Sequence, residues 1–282
     1  MENAIEINNL TKKYDEFTLN DINITLPKGC IMGFIGENGA GKSTTIKLIL
    51  NLIHRDSGNI NVLGLNNIQN DKQIKEDVGV VFDECNFPEN LNATDVSVVM
   101  KHIYKNWDAT LFQSYIQKFS LPLKKIIKEY SRGMKIKLSI AVALSHHAKL
   151  LVLDEATSGL DPIVRDEILD VFLEFIQDEE HSIFISSHIT SDLDKIADYI
   201  TFIHKGKIVF SEPKDSLLSN YGILKCSIAD YEHIDKNIII GCRKNQFGVE
   251  VLIKKNKLKG NYTVDHANIE DIMLFYIKGE IK

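Results

Sequence analysis

The chain has 282 residues, a formal charge of −6, and side chains that are 44% apolar and 26% charged. That is enough for one substantial core plus a smaller attached unit, and mild acidity without a dense basic patch argues against nucleic acid as a partner. No run approaches the roughly 20 apolar residues that cross a bilayer, the start lacks the basic and apolar regions of a secretory signal, and Cys30, Cys85, Cys226 and Cys242 lack metal-ligand spacing and read as reduced core side chains.

In chain order, strands are expected at 5–8, 19–26 and 30–35. The last enters Gly36-Glu37-Asn38-Gly39-Ala40-Gly41-Lys42-Ser43-Thr44, which matches the phosphate-cradling pattern G-x-x-x-x-G-K-[ST]. A buried helix is expected over 45–53, from the apolar residues Ile46, Leu48, Ile49, Leu50, Leu52 and Ile53. Glycines let the backbone curl so that its N–H groups and the helix N-terminus face an anion. Lys42 is placed to reach outer phosphates and Ser43 to offer a hydroxyl to magnesium, so the pattern points to bound ATP.

Further strands are expected at 58–62 and 78–82, the second followed by Asp83 and Glu84. Residues 92–149 then carry apolar side chains at helical spacing and read as an inserted helical subdomain; within it, His146 and His147 read as packing or local polar contacts. A strand at 150–154 ends in Asp154-Glu155, where one carboxylate suits magnesium and the next suits a water to be activated. Asp161-Pro162 begins a helix running to 177, since aspartate caps and proline fits the first turn. A strand at 182–186 leads to His188, a helix covers 189–196, and strands follow at 199–204 and 207–210. The alternation predicts an α/β core with a mostly parallel sheet and antiparallel strands near the N-terminus. Pro213 and residues 215–221 read as a junction, followed by strands at 223–229, 237–241 and 248–254 and a closing helix over 268–277.

These motifs, in this order, resemble the nucleotide-binding subunit of ATP-binding cassette transporters over residues 2–212. The resemblance implies a P-loop ATPase core with an antiparallel β subdomain and a helical insert of about 92–149, together spanning 1–214, and a small C-terminal α+β extension over 215–282. It implies ATP and Mg²⁺ as ligands, with Lys42, Glu155 as base and His188 as switch in catalysis, and Ser43, Asp83 and Asp154 at the metal. Tyr14 matches the ring that stacks on adenine, with Phe17 as the nearby alternative. In Tyr130-Ser131-Arg132-Gly133-Met134, Ser131 and Gly133 match the signature that meets nucleotide held by an opposite subunit. Asp161, in Ser158-Gly159-Leu160-Asp161, matches the loop through which two cassettes communicate.

Two departures stand out. Asp83 occupies the position of a family glutamine; a carboxylate ligates magnesium directly or through water, but lacks the amide donor. Arg132 replaces the first signature glycine, and is open to two readings: positive charge at the interface, or extension into solvent. The resemblance further implies a homodimer or a related cassette as partner, a separately encoded membrane permease, and a peripheral place on the cytoplasmic face of a bacterial membrane. The tail at 267–276 resembles export-type cassettes. A soluble regulator or assembly factor, or a weakly hydrolysing nucleotide-binding subunit, are the alternatives.

Overall fold

The computed structural model describes residues 2–246, 248–258 and 262–279. The chain opens with an antiparallel pair, β1 (Asn3–Lys13) and β2 (Thr18–Pro27), and β3 (Ile31–Ile35) then leads through the glycine-rich loop into α1 (Lys42–Ile49). After β4 (Ser57–Val62) and the short β5 (Leu65–Asn66) come α2 (Asp71–Asp77) and β6 (Val78–Val81). Helices α3 (Ala93–Ile103), α4 (Ala109–Lys118) and α5 (Arg132–Leu144) follow. The α/β alternation resumes with β7 (Leu150–Asp154), α6 (Pro162–Phe175), β8 (Ser182–Ser186), α7 (Thr190–Ile196), β9 (Tyr199–His204) and β10 (Lys207–Pro213). The remainder forms α8 (Lys214–Asn220), β11 (Tyr221–Cys226), α9 (Ile228–Glu232), β12 (Ile239–Asn245), β13 (Gly248–Lys254), β14 (Val264–His266) and α10 (Ile269–Lys278).

The strands assemble into an antiparallel sheet β2-β1-β4-β5, a central sheet β10-β9-β3-β8-β7-β6, and an antiparallel sheet β12-β13-β11-β14. The central sheet is parallel apart from β10, which pairs antiparallel with β9. Every residue of β3, β7 and β8 is buried, as expected for parallel strands covered on both faces, and this is why their sequences are apolar runs rather than alternations. Phe34 and Phe184 meet at 5.2 Å between ring centroids, and each contributes about 2 kcal/mol or more by leaving water.

One apolar cluster joins Ile35, Val81 and Leu153 to Ile140 of α5, Phe172 of α6 and Ile269, Ile272 and Phe275 of α10. A second packs β1 and β2 with Phe34, Phe184 and the Ile46–Ile49 face of α1. The parallel strands therefore sit between two apolar layers and end along one edge, where open α/β sheets bind their ligands. The loops leaving that edge carry residues 36–44, Asp83, Asp154-Glu155 and His188.

Several elements differ from the sequence expectation. The helix after the loop begins at Lys42, three residues earlier than the pattern of apolar residues indicates, and stops at Ile49, with Asn51 in the left-handed region at φ 53°. The strand expected over 223–229 ends at Cys226, because the Ser227 hydroxyl accepts the Asp230 N–H and starts α9. The next strand starts at Ile239, since Asp235 caps a tight turn over Lys236–Ile238. The expected junction near 215–221 is the helix α8.

Candidate functional site

The loop between β3 and α1 has the shape its glycines permit. Gly39 and Gly41 have φ of 80° and 117°, conformations that L side chains rarely adopt. A Cβ at Gly41 would stand 2.9 Å from Leu19 and 3.0 Å from Phe17. The turn after β9 braces the loop from behind, the Gly206 N–H donating to the Ala40 carbonyl at 3.0 Å. Among the described residues no side chain caps the first turn of α1 and no acid lies in it, which leaves its N–H groups to an incoming anion. Lys42, 6% exposed, donates from Nζ to the Gly36 carbonyl at 2.8 Å, and Ser43 faces the cleft.

Asp154 and Glu155 leave β7 in opposite roles. Asp154 is buried and accepts a 2.6 Å hydrogen bond from the Ser186 hydroxyl, which the parallel register of β7 and β8 sets directly beside it. The same hydroxyl accepts the Glu155 N–H at 3.1 Å. Glu155 has φ 52°, a left-handed conformation that costs a non-glycine residue about 1 kcal/mol. That turn swings its carboxylate into the cleft. There Oε1 lies 3.4 Å from Lys42 Nζ and Oε2 lies 2.5 Å from Nδ1 of the half-exposed His188. An acid, an ammonium group and an imidazole thus converge above a phosphate-shaped loop.

The cleft has a volume of about 730 Å³, and Tyr14, Glu37, Asn38, Gly39, Gly41, Lys42, Ser43, Thr44, Asp83, Glu155 and His188 all line it. Phe17 lines it too, with its ring 6.5 Å from that of Tyr14, so both aromatic alternatives reach the same place. Gly36 and Ala40 are buried beneath the loop, and Asp154 is buried behind Glu155. Ser131, Gly133 and Asp161 do not line this cleft. Ser131 caps α5 by accepting the Met134 N–H, and Asp161 caps α6 by accepting the Val164 N–H at 3.0 Å. A Cβ at Gly133 would lie 3.4 Å from Val164, so the signature and the start of α6 pack as neighbours.

The hard oxygen donors of Ser43, Asp83 and Asp154 suit magnesium. Among the described residues no three carboxylate, histidine or cysteine side chains converge as a metal cage. Sequence reasoning missed Ser186; its one signal is a hydroxyl closing the short strand Ser182–Ser186 after three apolar residues. Ser158, expected only as part of the Ser158–Asp161 loop, also lines the cleft.

A family model described as ABC transporter matches residues 19–158. The chain is 36% identical over 220 residues to the bacitracin transport ATP-binding protein BcrA of Bacillus licheniformis, covering 77% of this chain and 72% of that one. It is 37% identical over 214 residues to the lantibiotic transport ATP-binding protein SrtF of Streptococcus pyogenes, covering 75% of this chain and 91% of the relative. In fold it is similar to a solved ATP binding subunit of an ABC transporter, with TM-score 0.69, 23% identity, and coverage of 76% of this chain and 91% of that chain. It is likewise similar to the dimeric ATP-binding cassette MJ0796 bound to ADP and Pi, with TM-score 0.66, 19% identity, and coverage of 74% and 98%.

Proposed function

This chain belongs to the ABC transporter ATP-binding protein family, and from that premise we propose that it hydrolyses magnesium-bound ATP as one half of a two-site motor driving a bacterial exporter. The observation that carries the reading is the convergence of Lys42, Glu155 and His188 over the glycine-rich loop. Loop N–H groups and the start of α1 cradle the phosphates, and Lys42 adds positive charge where phosphoryl charge develops. Magnesium, when bound, neutralises phosphate charge, and Ser43, Asp154 and Asp83 would hold it. Glu155 takes a proton from the attacking water at its carboxylate, and His188 keeps that carboxylate oriented. Tyr14 offers an apolar face to adenine.

Ser131, Gly133 and Asp161 lie outside their own cleft, which supports a head-to-tail arrangement in which they meet the nucleotide of a second copy or a related cassette. Closure of such a dimer excludes water from both sites. Among the described residues no helix is long and apolar enough to cross a membrane, so the permease is assigned to a separate chain. A groove of about 280 Å³ between α1, α2, β6 and α3, lined in part by Leu52, Phe82, Ile103 and Tyr104, suits a cytoplasmic segment of that permease. This would place the subunit peripherally on the cytoplasmic face, with residues 215–282 as an attached extension. The relatives named for bacitracin and lantibiotic transport support a peptide antibiotic as cargo.

Glu155→Gln tests the core of the reading. Turnover should fall roughly 100-fold to 10,000-fold, the range expected for losing a general base, while ATP-dependent dimers accumulate in light scattering. Unchanged hydrolysis in that variant would remove Glu155 from the mechanism.

A further inference from the structure

The phosphate loop carries one acid. Between Gly36 and Thr44 only Glu37 bears a negative charge, and its half-exposed side chain lines the cleft that the loop N–H groups prepare for an anion. A carboxylate in that position repels incoming phosphates. Lys42 does not offset it directly. Its ammonium group donates to the Gly36 carbonyl at 2.8 Å and the Glu37 carbonyl at 3.4 Å, and the carboxylate it faces is that of Glu155.

The group that answers the Glu37 carboxylate stands behind the loop. His204 ends β9, outside the cleft lining, and its Nδ1 lies 3.2 Å from Glu37 Oε2. That nitrogen is buried and has no aligned hydrogen-bond partner among the described residues, whereas buried polar atoms are nearly always partnered. The turn that carries the imidazole is pinned on two sides. Gly206 donates its N–H to the Ala40 carbonyl at 3.0 Å, and its own carbonyl accepts the Asn20 N–H at 2.8 Å. A Cβ at Gly206 would collide with the Thr18 carbonyl, and one at Gly36 would stand 2.5 Å from the Ile203 carbonyl. His204 is therefore held between β2 and the phosphate loop, while the Glu37 carboxylate keeps one side in solvent. Of the two, the acid is the one that can adjust when an anion enters.

We propose that His204 is a positioning residue for nucleotide binding: its Nδ1–H draws the Glu37 carboxylate back from the phosphates, so that the loop can receive them. This inference rests on the reading that the cleft takes ATP. Lys42 then holds the main chain of the loop from the cleft side, and His204 holds its one acidic side chain from the rear.

The test is ATP binding to the full-length protein, with magnesium chelated to prevent turnover and folding checked by thermal melting. His204→Phe keeps a ring near Phe202 but loses the donor, and should raise the Kd for ATP about twofold to fivefold, the range of a half-exposed charge pair. His204→Gln restores an N–H donor and should recover most of that loss. In a Glu37→Ala background there is no carboxylate to hold, and His204→Phe should no longer change the Kd. If His204→Phe does not fold, His204→Ala takes its place in both backgrounds. An equal change in the two backgrounds would assign the effect to packing at the turn and overturn the inference. No change in either background overturns it as well, as does His204→Gln binding as weakly as His204→Phe. Lys42→Ala separates this inference from the reading beneath it. Lost ATP binding there leaves the ATP site standing whatever His204 shows, and undiminished binding overturns the ATP site and this inference with it.

Discussion

Replacing Ser186 by alanine removes one oxygen that serves two neighbours. The hydroxyl is fully buried, donates to Asp154 Oδ1 at 2.6 Å and accepts the Glu155 N–H at 3.1 Å. Glu155 N–H retains the Ser186 carbonyl at 3.2 Å, so most of the cost falls on Asp154. A hydrogen bond to a buried carboxylate is worth about 2 kcal/mol net, and for a chain of this size that corresponds to a Tm lower by roughly 4–8 °C. If Asp154 holds magnesium as proposed, it would also lose the partner that fixes its orientation, and such supporting bonds typically change metal affinity about 10-fold to 100-fold. Scanning calorimetry and ATPase rates over a magnesium titration measure the two effects separately. Ser187→Ala is the control, since its hydroxyl accepts the Ile189 N–H and donates to the Ile189 carbonyl, both within its own loop, and should leave the magnesium requirement unchanged. A Tm within about 1 °C of wild type together with unchanged magnesium half-saturation would refute the bridging role.

Gly41→Ala should abolish most ATP binding, because its Cβ meets Leu19 and Phe17 within 3.0 Å, whereas Gly39→Ala meets nothing within 4 Å and should lose less; nucleotide titration compares them. Asp161→Ala should cost about 1 kcal/mol through loss of the α6 cap, while Asp161→Asn retains the cap. If Asp161 also couples subunits, both variants should impair ATP-dependent dimerisation while only the alanine variant melts early. Buried His146 stacks on Tyr104 at 3.9 Å, bonds the Glu76 carbonyl through Nδ1, and has no partner for Nε2 among the described residues. Burial holds its pKa below the ordinary 6.5, so the unfolded chain takes up this proton first, and stability should decline as pH falls through about 6.5 and level off below the folded value. His146→Phe should flatten that part of the Tm profile; parallel profiles would exclude the effect.

The phosphate loop, Asp154-Glu155 and His188 were legible because each is a short run of residues whose chemistry is written locally. The apolar strands before them were equally legible, since burial on both faces demands continuous hydrophobic sequence. Caps were partly legible: Asp161-Pro162 announces α6, whereas Ser227 and Asp235 resemble ordinary loop residues until their side chains meet backbone N–H groups. The register of β7 against β8 brings Ser186 beside Asp154 across 32 residues, and no local pattern records that distance. The direction of Arg132, whose guanidinium lies over Gly159, likewise depends on where the Ser158–Asp161 loop lies in space. Sequence by itself therefore determined which groups could bind phosphate, hold magnesium and accept a proton, because those are properties of side chains. Only the tertiary structure decided which of them share a cleft and what holds them there, because convergence is set by strand register and packing between distant segments.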